Sequence, residues 1–217
     1  IYGCFSSPFI QPVDVYTNPK IQTLTADTIC DDNSTTFEFN TFLGSDPNIT
    51  YSWDYGDLNT SNNPNSTHQH EYINCGNYIV SLIIEDGNTC NDDTTITAIV
   101  RCNPIADFTL DNECLGDSVK FVNQTNLVSG TIGSWIWNFG DNPPQGSNVE
   151  NPTYLYDSVA TYTVTLNVID DQLTSGLYGC SDSHQETVEI YALPKPSFET
   201  NIACEGDITV FTNTSTI

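Results

Sequence analysis

Apolar side chains fall at every second position in several short stretches of this chain. Phe37 and Phe39 alternate with polar neighbours in residues 35–39. Tyr78, Val80, Leu82 and Ile84 do so in residues 78–84, and Tyr162, Val164, Leu166 and Val168 in residues 162–168. A two-residue period places one face of an extended segment against a core and the other in water, so each stretch predicts a half-buried β-strand. The breakers between them are Asp-Gly, Asn-Pro, Gly-Asp and Gly-Asn, which form turns and do not cap helices. No window of helical length carries a 3.6-residue stripe. About seven short strands per unit, closed by frequent turns, predict an all-β sandwich. Trp53 and Trp137, each on a middle strand, are the expected plugs between its two sheets.

The pattern also repeats. Cys30 answers to Cys114, Phe37 to Phe121, Trp53 to Trp137, Gly56-Asp57 to Gly140-Asp141, Tyr72 to Tyr156 and Tyr78 to Tyr162, each pair 84 positions apart. A fixed period marks an array of one folding unit. A further copy of the opening motif begins near Leu193, with Cys204 standing 90 positions after Cys114. Gly3-Cys4 and the segment around Val13 parallel Gly179-Cys180 and the segment around Val188. The expected organisation is therefore the tail of one unit (1–19), complete units at 20–103 and 104–192, and the start of another (193–217). The sequence reads as a window onto a longer array.

Composition narrows the partners. Four basic residues stand against 28 acidic ones, a formal net charge of −24. No basic stripe exists to displace counterions from phosphates, so nucleic acid and direct membrane insertion are not expected. The acidic residues are spread along the chain, where they keep it soluble and, by mutual repulsion, extended. Eight cysteines, most of them in phase with the repeat, point to an oxidising compartment. Zinc is the competing explanation, and no pair of cysteines is spaced as a zinc knuckle requires.

Several motifs then fall in order. Trp53-Asp-Tyr-Gly-Asp57 and Trp137-Asn-Phe-Gly-Asp141 resemble the WDFGD signature of the polycystic-kidney-disease (PKD) domain. Asn151-Pro-Thr-Tyr-Leu-Tyr156, Gly76-Asn-Tyr-Ile-Val-Ser-Leu82 and Ala160-Thr-Tyr-Thr-Val-Thr-Leu166 resemble the segments that follow it in that family. Asn138, Ala160 and the His68-Gln-His-Glu-Tyr72 segment of the first unit depart from the pattern. The phased cysteines and the Cys-x-Gly-Asp turn further resemble the repeats of giant surface adhesins that gliding bacteria export through the type IX system. This resemblance implies tandem immunoglobulin-like sandwiches, without catalysis, in a structural or adhesive segment of a long extracellular surface protein. Neighbouring repeats are the implied partners, together with surface polysaccharide or other surface proteins. The alternatives are an accessory module of a secreted hydrolase, such as a chitinase or protease, and a surface-layer protein.

Candidate chemistry is sparse. Asp57 and Asp141 follow glycine, but no acid, base or nucleophile recurs with them, so they read as turn caps. His68 and His70 occupy two positions with no third metal ligand in view, and read as surface residues. Asp31, Asp32, Asp86, Asp92 and Asp93 could share a calcium ion, the one cofactor the sequence suggests. Trp135 shares the face of Trp137 and reads as core in preference to a sugar platform. Asp27-Thr28, Asp93-Thr94, Asp117-Ser118 and Asp157-Ser158, each followed by an apolar residue or threonine, resemble the O-glycosylation acceptor of those bacteria, and are expected in turns.

Disulfide geometry can also be anticipated. The strand from Tyr78 and the strand ending near Val100 should pair antiparallel through a turn at Asp86–Asn88, with partners whose numbers sum to about 178. Cys75 and Cys102 then face each other and should bond. Cys30, Cys114 and Cys204 lie just before the second strand of their units, whereas Cys4, Cys90 and Cys180 lie in the loop before the last. A strand length separates these two places, too far for a disulfide within a unit. Head-to-tail stacking predicts Cys30–Cys180, with Cys4, Cys90, Cys114 and Cys204 bonded to flanking repeats. The alternative is Cys30–Cys90 and Cys114–Cys180.

Overall fold

The computed structural model describes residues 10–171 and 179–217. It contains 18 strands and no helix among the described residues. The chain divides into two compact units at Arg101/Cys102.

In the first unit, β1 (Lys20–Ala26), β3 (Ser34–Phe42) and β6 (Thr67–Glu71) form a three-stranded sheet in the order β1-β3-β6. The second sheet runs β2-β8-β7-β4-β5, built from β2 (Thr28–Cys30), β4 (Thr50–Asp54), β5 (Thr60–Ser61), β7 (Gly76–Glu85) and β8 (Asn91–Arg101). Inward residues alternate as the sequence pattern requires: Phe37 and Phe39 from β3, Trp53 from β4, and Val80, Leu82 and Ile84 from β7 are buried. Among the described residues each repeat, β1–β8 and then β9–β16, has eight strands where the pattern suggests seven. The extra ones are short edges such as β2 and β5, with too few residues to show alternation.

The second unit repeats this plan. Strands β9 (Phe108–Leu110), β11 (Val119–Asn123) and β14 (Thr153–Tyr154) form the small sheet. The large one contains β10 (Glu113–Cys114), β16 (Ser181–Tyr191), β15 (Thr161–Asp170), β12 (Ile132–Asn138) and β13 (Gly146–Ser147). Register is kept with the period, since Trp53 opposes Leu82 and Trp137 opposes Leu166. After β16, β17 (Phe198–Thr200) and β18 (Phe211–Asn213) pair antiparallel and bring Phe198 and Phe211 together with ring centroids 5.6 Å apart. These rings stand where Phe108 and Phe121 stand in the second unit.

The β7–β8 hairpin differs from the sequence expectation. Its partners run from Gly76 opposite Val100 to Glu85 opposite Asn91, two short of the anticipated sum. A shift of two keeps every side chain on its face. The turn itself sets this register: Asp86 N–H donates to the Cys90 carbonyl at 2.9 Å, and Asp86 Oδ1 accepts from Asn88 and Cys90 N–H at 2.8 and 2.9 Å. The loop thus closes over residues 86–90. In the second unit Asp170 and Cys180 close the base of their loop with the same pair of bonds, each 3.0 Å. Nine residues lie between Asp170 and Cys180 and three between Asp86 and Cys90, which is why the repeat lengthens from 84 to 90.

Trp53 is fully buried, against Phe37 and Phe39 at centroid distances of 5.8 and 5.5 Å, and its Nε1–H donates to the Asn63 carbonyl at 3.1 Å. Trp137 repeats the arrangement with Phe108 and Phe121 and donates to the Val149 carbonyl at 2.9 Å. Replacing Trp137 by alanine empties the largest volume in its core and strands that carbonyl. The expected loss is about 3–5 kcal/mol, comparable to the whole stability of a small domain. Denaturant unfolding followed in the second unit should register it. An unchanged midpoint would contradict the packing described.

Candidate functional site

The signature turn after each tryptophan strand gathers the chain's only recurrent cluster of polar and aromatic groups among the described residues. Gly56 and Gly140 adopt φ of +78° and +77°. A Cβ on Gly56 would lie 2.5 Å from the Ile79 carbonyl oxygen, so only glycine allows the turn to approach β7 this closely. The N–H of each glycine is capped from two residues back, by Asp54 Oδ1 and by Asn138 Oδ1, both at 2.9 Å. Asn138 therefore does the work of the usual aspartate, since a carbonyl oxygen suffices.

Asp57 Oδ1 accepts the Asn59 N–H at 3.0 Å, and Asp141 Oδ1 accepts the Gln145 N–H at 2.8 Å. Their second oxygens reach across to the small sheet. Asp57 Oδ2 lies 2.8 Å from His70 Nε2, and the Tyr154 hydroxyl donates to Asp141 Oδ2. His70 and Tyr154 are repeat equivalents. His70 stacks on Tyr55 at 3.8 Å with its edge toward Tyr72, and Tyr154 stacks on Phe139 at 4.2 Å with its edge toward Tyr156. The Tyr72 and Tyr156 hydroxyls in turn donate to the carbonyls of Tyr55 and Phe139 at 3.1 and 2.9 Å. Burial works to raise the pKa of Asp57, but the hydrogen bonds of His70 and Asn59 outweigh it and hold the carboxyl below its usual value. Burial, reinforced by Asp141, pushes the Tyr154 hydroxyl up to about 12. Both aspartates and the hydroxyls of Tyr72, Tyr154 and Tyr156 are spent on neighbours, as in a strut.

The histidines are not surface residues. His68 is 7% exposed, and the His70 side chain is 14% exposed. Their alternation on β6 points both inward, because β6 packs its even positions against Phe37 and Tyr55. No group of three His, Cys, Asp or Glu residues that could hold a metal occurs among the described residues.

The five candidate calcium carboxylates separate. Asp31 N–H donates to the Arg101 carbonyl at 2.7 Å, at the end of β8, whereas Asp92 and Asp93 sit at its start opposite Ile84 and Ile83. Nine residue steps of extended strand from Asp92 to Arg101, about 30 Å, lie between. One ion cannot take both groups. Asp92 Oδ2 is committed to the Ile21 N–H at 2.8 Å. Asp86 is 4% exposed and its Oδ2 has no hydrogen-bond partner. Asp46, on the β3–β4 loop, brings its Oδ2 to the adjacent Gly87, where an added Cβ would meet it at 2.5 Å.

Trp135 is half-buried and packs against the core of the second unit. Of the glycosylation candidates, Thr28 and Thr94 lie within β2 and β8, not in turns; Ser118 and Ser158 are exposed and outside strands. The strands hid in the sequence because Asp27, just before β2, and Asp93, inside β8, resemble turn formers.

Cys30, Cys75, Cys102 and Cys180 are disulfide-bonded, while Cys90, Cys114 and Cys204 are free thiols. Cys4 lies outside the described residues. Cys30 and Cys114 occupy one place in the fold: β2 runs parallel to β8 with Cys30 beside Arg101, and β10 runs parallel to β16 with Cys114 beside Tyr191. Cys90 and Cys180 occupy the other pole, at the loop where those last strands begin. The length of β8 or β16 separates the two places within each unit, and the free state of Cys90 and Cys114 removes the pairings Cys30–Cys90 and Cys114–Cys180.

Comparison with known proteins matches the PKD domain family over residues 16–102 and again over 101–188. The chain belongs to the PKD domain family. It is 38% identical over 97 residues to the pre-pro-metalloprotease PrtV of Vibrio cholerae, a match covering 43% of this chain and 10% of that protein. Among solved structures, the PKD1 domain of the same protease is 38% identical, covering 41% of this chain and 96% of that one, with a TM-score of 0.35. The PKD1 domain of Vibrio anguillarum Epp is 28% identical, covering 42% and 96%, with a TM-score of 0.36. The chain thus spans about a tenth of the length of the metalloprotease it matches. PKD domains are non-catalytic modules.

Replacing Tyr154 by phenylalanine leaves Asp141 Oδ2 without its donor and should cost about 1.5–3 kcal/mol, as for a hydrogen bond to a charged group. Because the folded hydroxyl ionises only at about 12, stability should fall as the pH rises from about 10, where an unfolded tyrosine ionises. The variant should lose the share of that slope due to Tyr154 and keep the share of Tyr156, whose hydroxyl is also pushed up by burial. Denaturation of the second unit near pH 7 and pH 11 checks both.

Proposed function

We propose that these PKD domains are a non-catalytic structural segment of a long, repetitive extracellular surface protein, a cell-surface adhesin of the kind used in gliding motility, stiffened by disulfides at its domain junctions. The observation that carries this reading is the state of the phased cysteines. Cys30, at the trailing pole of one unit, and Cys180, at the leading pole of the next, are each bonded, whereas Cys90 and Cys114 are free.

The sheet order supports particular partners. Cys30 and Cys75 flank β8 on opposite sides, two strand spacings or about 9.5 Å apart, beyond disulfide reach. Cys75 packs against the core, and Cys102 has the inward parity of Ala98 and Val100. Cys30 follows the inward Ile29 and so points outward. Cys75–Cys102 and Cys30–Cys180 satisfy all four, the first contributing about 3 kcal/mol by closing a short loop. Cys90, Cys114 and Cys204, free within this chain, are left together with Cys4 to bond to flanking repeats. Such crosslinks convert a string of domains into a rod that bears tension, for which an oxidising, extracellular setting is required. Neighbouring repeats are the first partners, with surface polysaccharide or other surface proteins beyond them. Ser118 and Ser158 are the two exposed positions open to glycosylation.

Digestion of the unreduced chain at Asp and Glu, with mass spectrometry, should yield linked peptides containing Cys30–Cys180 and Cys75–Cys102. A Cys30–Cys102 crosslink, or free thiols at Cys30 and Cys180, would overturn the rod.

The likeness to a metalloprotease supports a second reading, an accessory module beside a catalytic domain. The complete reading frame separates the two: dozens of PKD copies fit the adhesin, and a protease or chitinase domain beside a few copies fits the accessory module.

Of the calcium carboxylates, we propose only Asp86 as a ligand, because its buried Oδ2 has no hydrogen-bond partner and an unbalanced buried carboxylate is costly. Millimolar calcium should raise the melting temperature of the first unit, and Asp86→Asn should abolish the rise. No calcium response in the wild type would remove the ion from the account.

A further inference from the structure

The one buried imidazole of this chain lies in the first unit, and the second unit has proline in its place. His68 on β6 is 7% exposed, its ring in a T-shaped contact with Trp53 at 4.5 Å and stacked on Phe37 at 5.7 Å. Its Nε2 shares a single hydrogen bond with the Tyr55 hydroxyl at 3.0 Å, and its buried Nδ1 has no hydrogen-bond partner. One nitrogen engaged and one idle is what a neutral imidazole can tolerate. A protonated ring carries N–H on both nitrogens, so acid would place a second donor and a full charge against Trp53 and Phe37.

The groups around the ring offer that charge little. β3 presents Phe37 and β4 presents Trp53, both apolar. Tyr55, from the corner after β4, is neutral and itself pushed above the usual tyrosine pKa by burial. Along β6 stands His70, whose charge would repel a second cation, with the Asp57 carboxylate on its far side, 2.8 Å from His70 Nε2. Asn65 lies close enough to favour the cation through its backbone, though not in hydrogen-bonding geometry. Repeat equivalence supplies the control: Pro152 stands at the position of His68 and Tyr154 at that of His70. Phe121, Trp137 and Phe139 form the corresponding cage in the second unit, without a basic group.

We propose that His68 is an acid-sensitive latch in the core of the first unit, so that mild acid opens this unit while the second stays closed. Burial lowers the pKa of His68 below the usual histidine value. A histidine depressed in this way contributes stability that is complete above its unfolded pKa of about 6.5 and is lost as the pH falls toward the folded value. Across that window the opening equilibrium of the first unit rises by up to about tenfold per pH unit, one proton being taken up on opening. In a tandem array the two kinds of unit then respond differently to acid, and length is released at His68-bearing units first. The inference is independent of how the disulfides are paired.

Hydrogen exchange with peptide-resolved mass spectrometry on the whole chain tests it, at about pH 7.5, 6.5 and 5.5 with intrinsic rates corrected. Between about pH 6.5 and 5.5, peptides covering β3 and β6 should lose protection by up to about tenfold, while those covering β11 and β14 should not. In His68→Leu the first unit should lose the acid response whatever its protection at pH 7.5. His70→Tyr, which installs the residue of the second unit, should retain the response. Equal loss in both units, no loss in the first, or an acid response that survives His68→Leu would overturn the latch.

Discussion

Each unit depends on one packing event, the insertion of a tryptophan between two small sheets. The units are too short to bury a large core, so a single indole supplies a large share of the apolar area that holds the sheets together. Its one polar atom must be satisfied in place, and in both units a loop carbonyl accepts Nε1–H. That requirement fixes the loop after β5 or β13. The turn immediately after the tryptophan strand must then double back against β7 or β15, which only a glycine with positive φ permits. The WDFGD-type signature is thus a folding instruction whose residues are coupled by geometry.

The aspartate of that signature shows how such a strut tolerates change. Its carboxylate always spans from the turn to the small sheet, but the donor it meets is an imidazole in one unit and a phenol in the other. Both are flat, both stack on the aromatic residue two positions before the aspartate, and both turn an edge to the next tyrosine. Shape and a single donor are retained while acid–base character is not. Sequence divergence between repeats therefore leaves the architecture alone and changes how each unit responds to its surroundings.

Most of the fold was legible because it rests on local periodicity. Alternation named the long strands β3, β7 and β15, the 84-residue offset carried the register from one tryptophan to the other, and the absence of a helical stripe left only sheets. What escaped notice was set by contacts without a sequence period. The three residues of β2 cannot show alternation, yet this short strand is what places Cys30 beside Arg101. The hairpin register slipped by two because Asp86 reaches on to Cys90 and closes the turn over residues 86–90, beyond the Asp86–Asn88 turn read from the sequence. His68 and His70 read as surface residues because histidine is polar; their burial follows from inward parity on β6. The acidic residues grouped as one calcium site sit at opposite ends of β8, a separation that composition cannot convey.

The cysteines tie these observations to mechanics. Trailing-pole and leading-pole thiols lie a full strand apart in every unit, so a unit cannot satisfy its own pair. Cys90 and Cys114 are accordingly free, while Cys30 and Cys180 are bonded to cysteines other than these. The acidic surface adds a second constraint, since a net charge of −24 on 217 residues resists side-by-side association of chains. Bonding within a unit is limited by the length of its last strand, and contact between chains by their common charge.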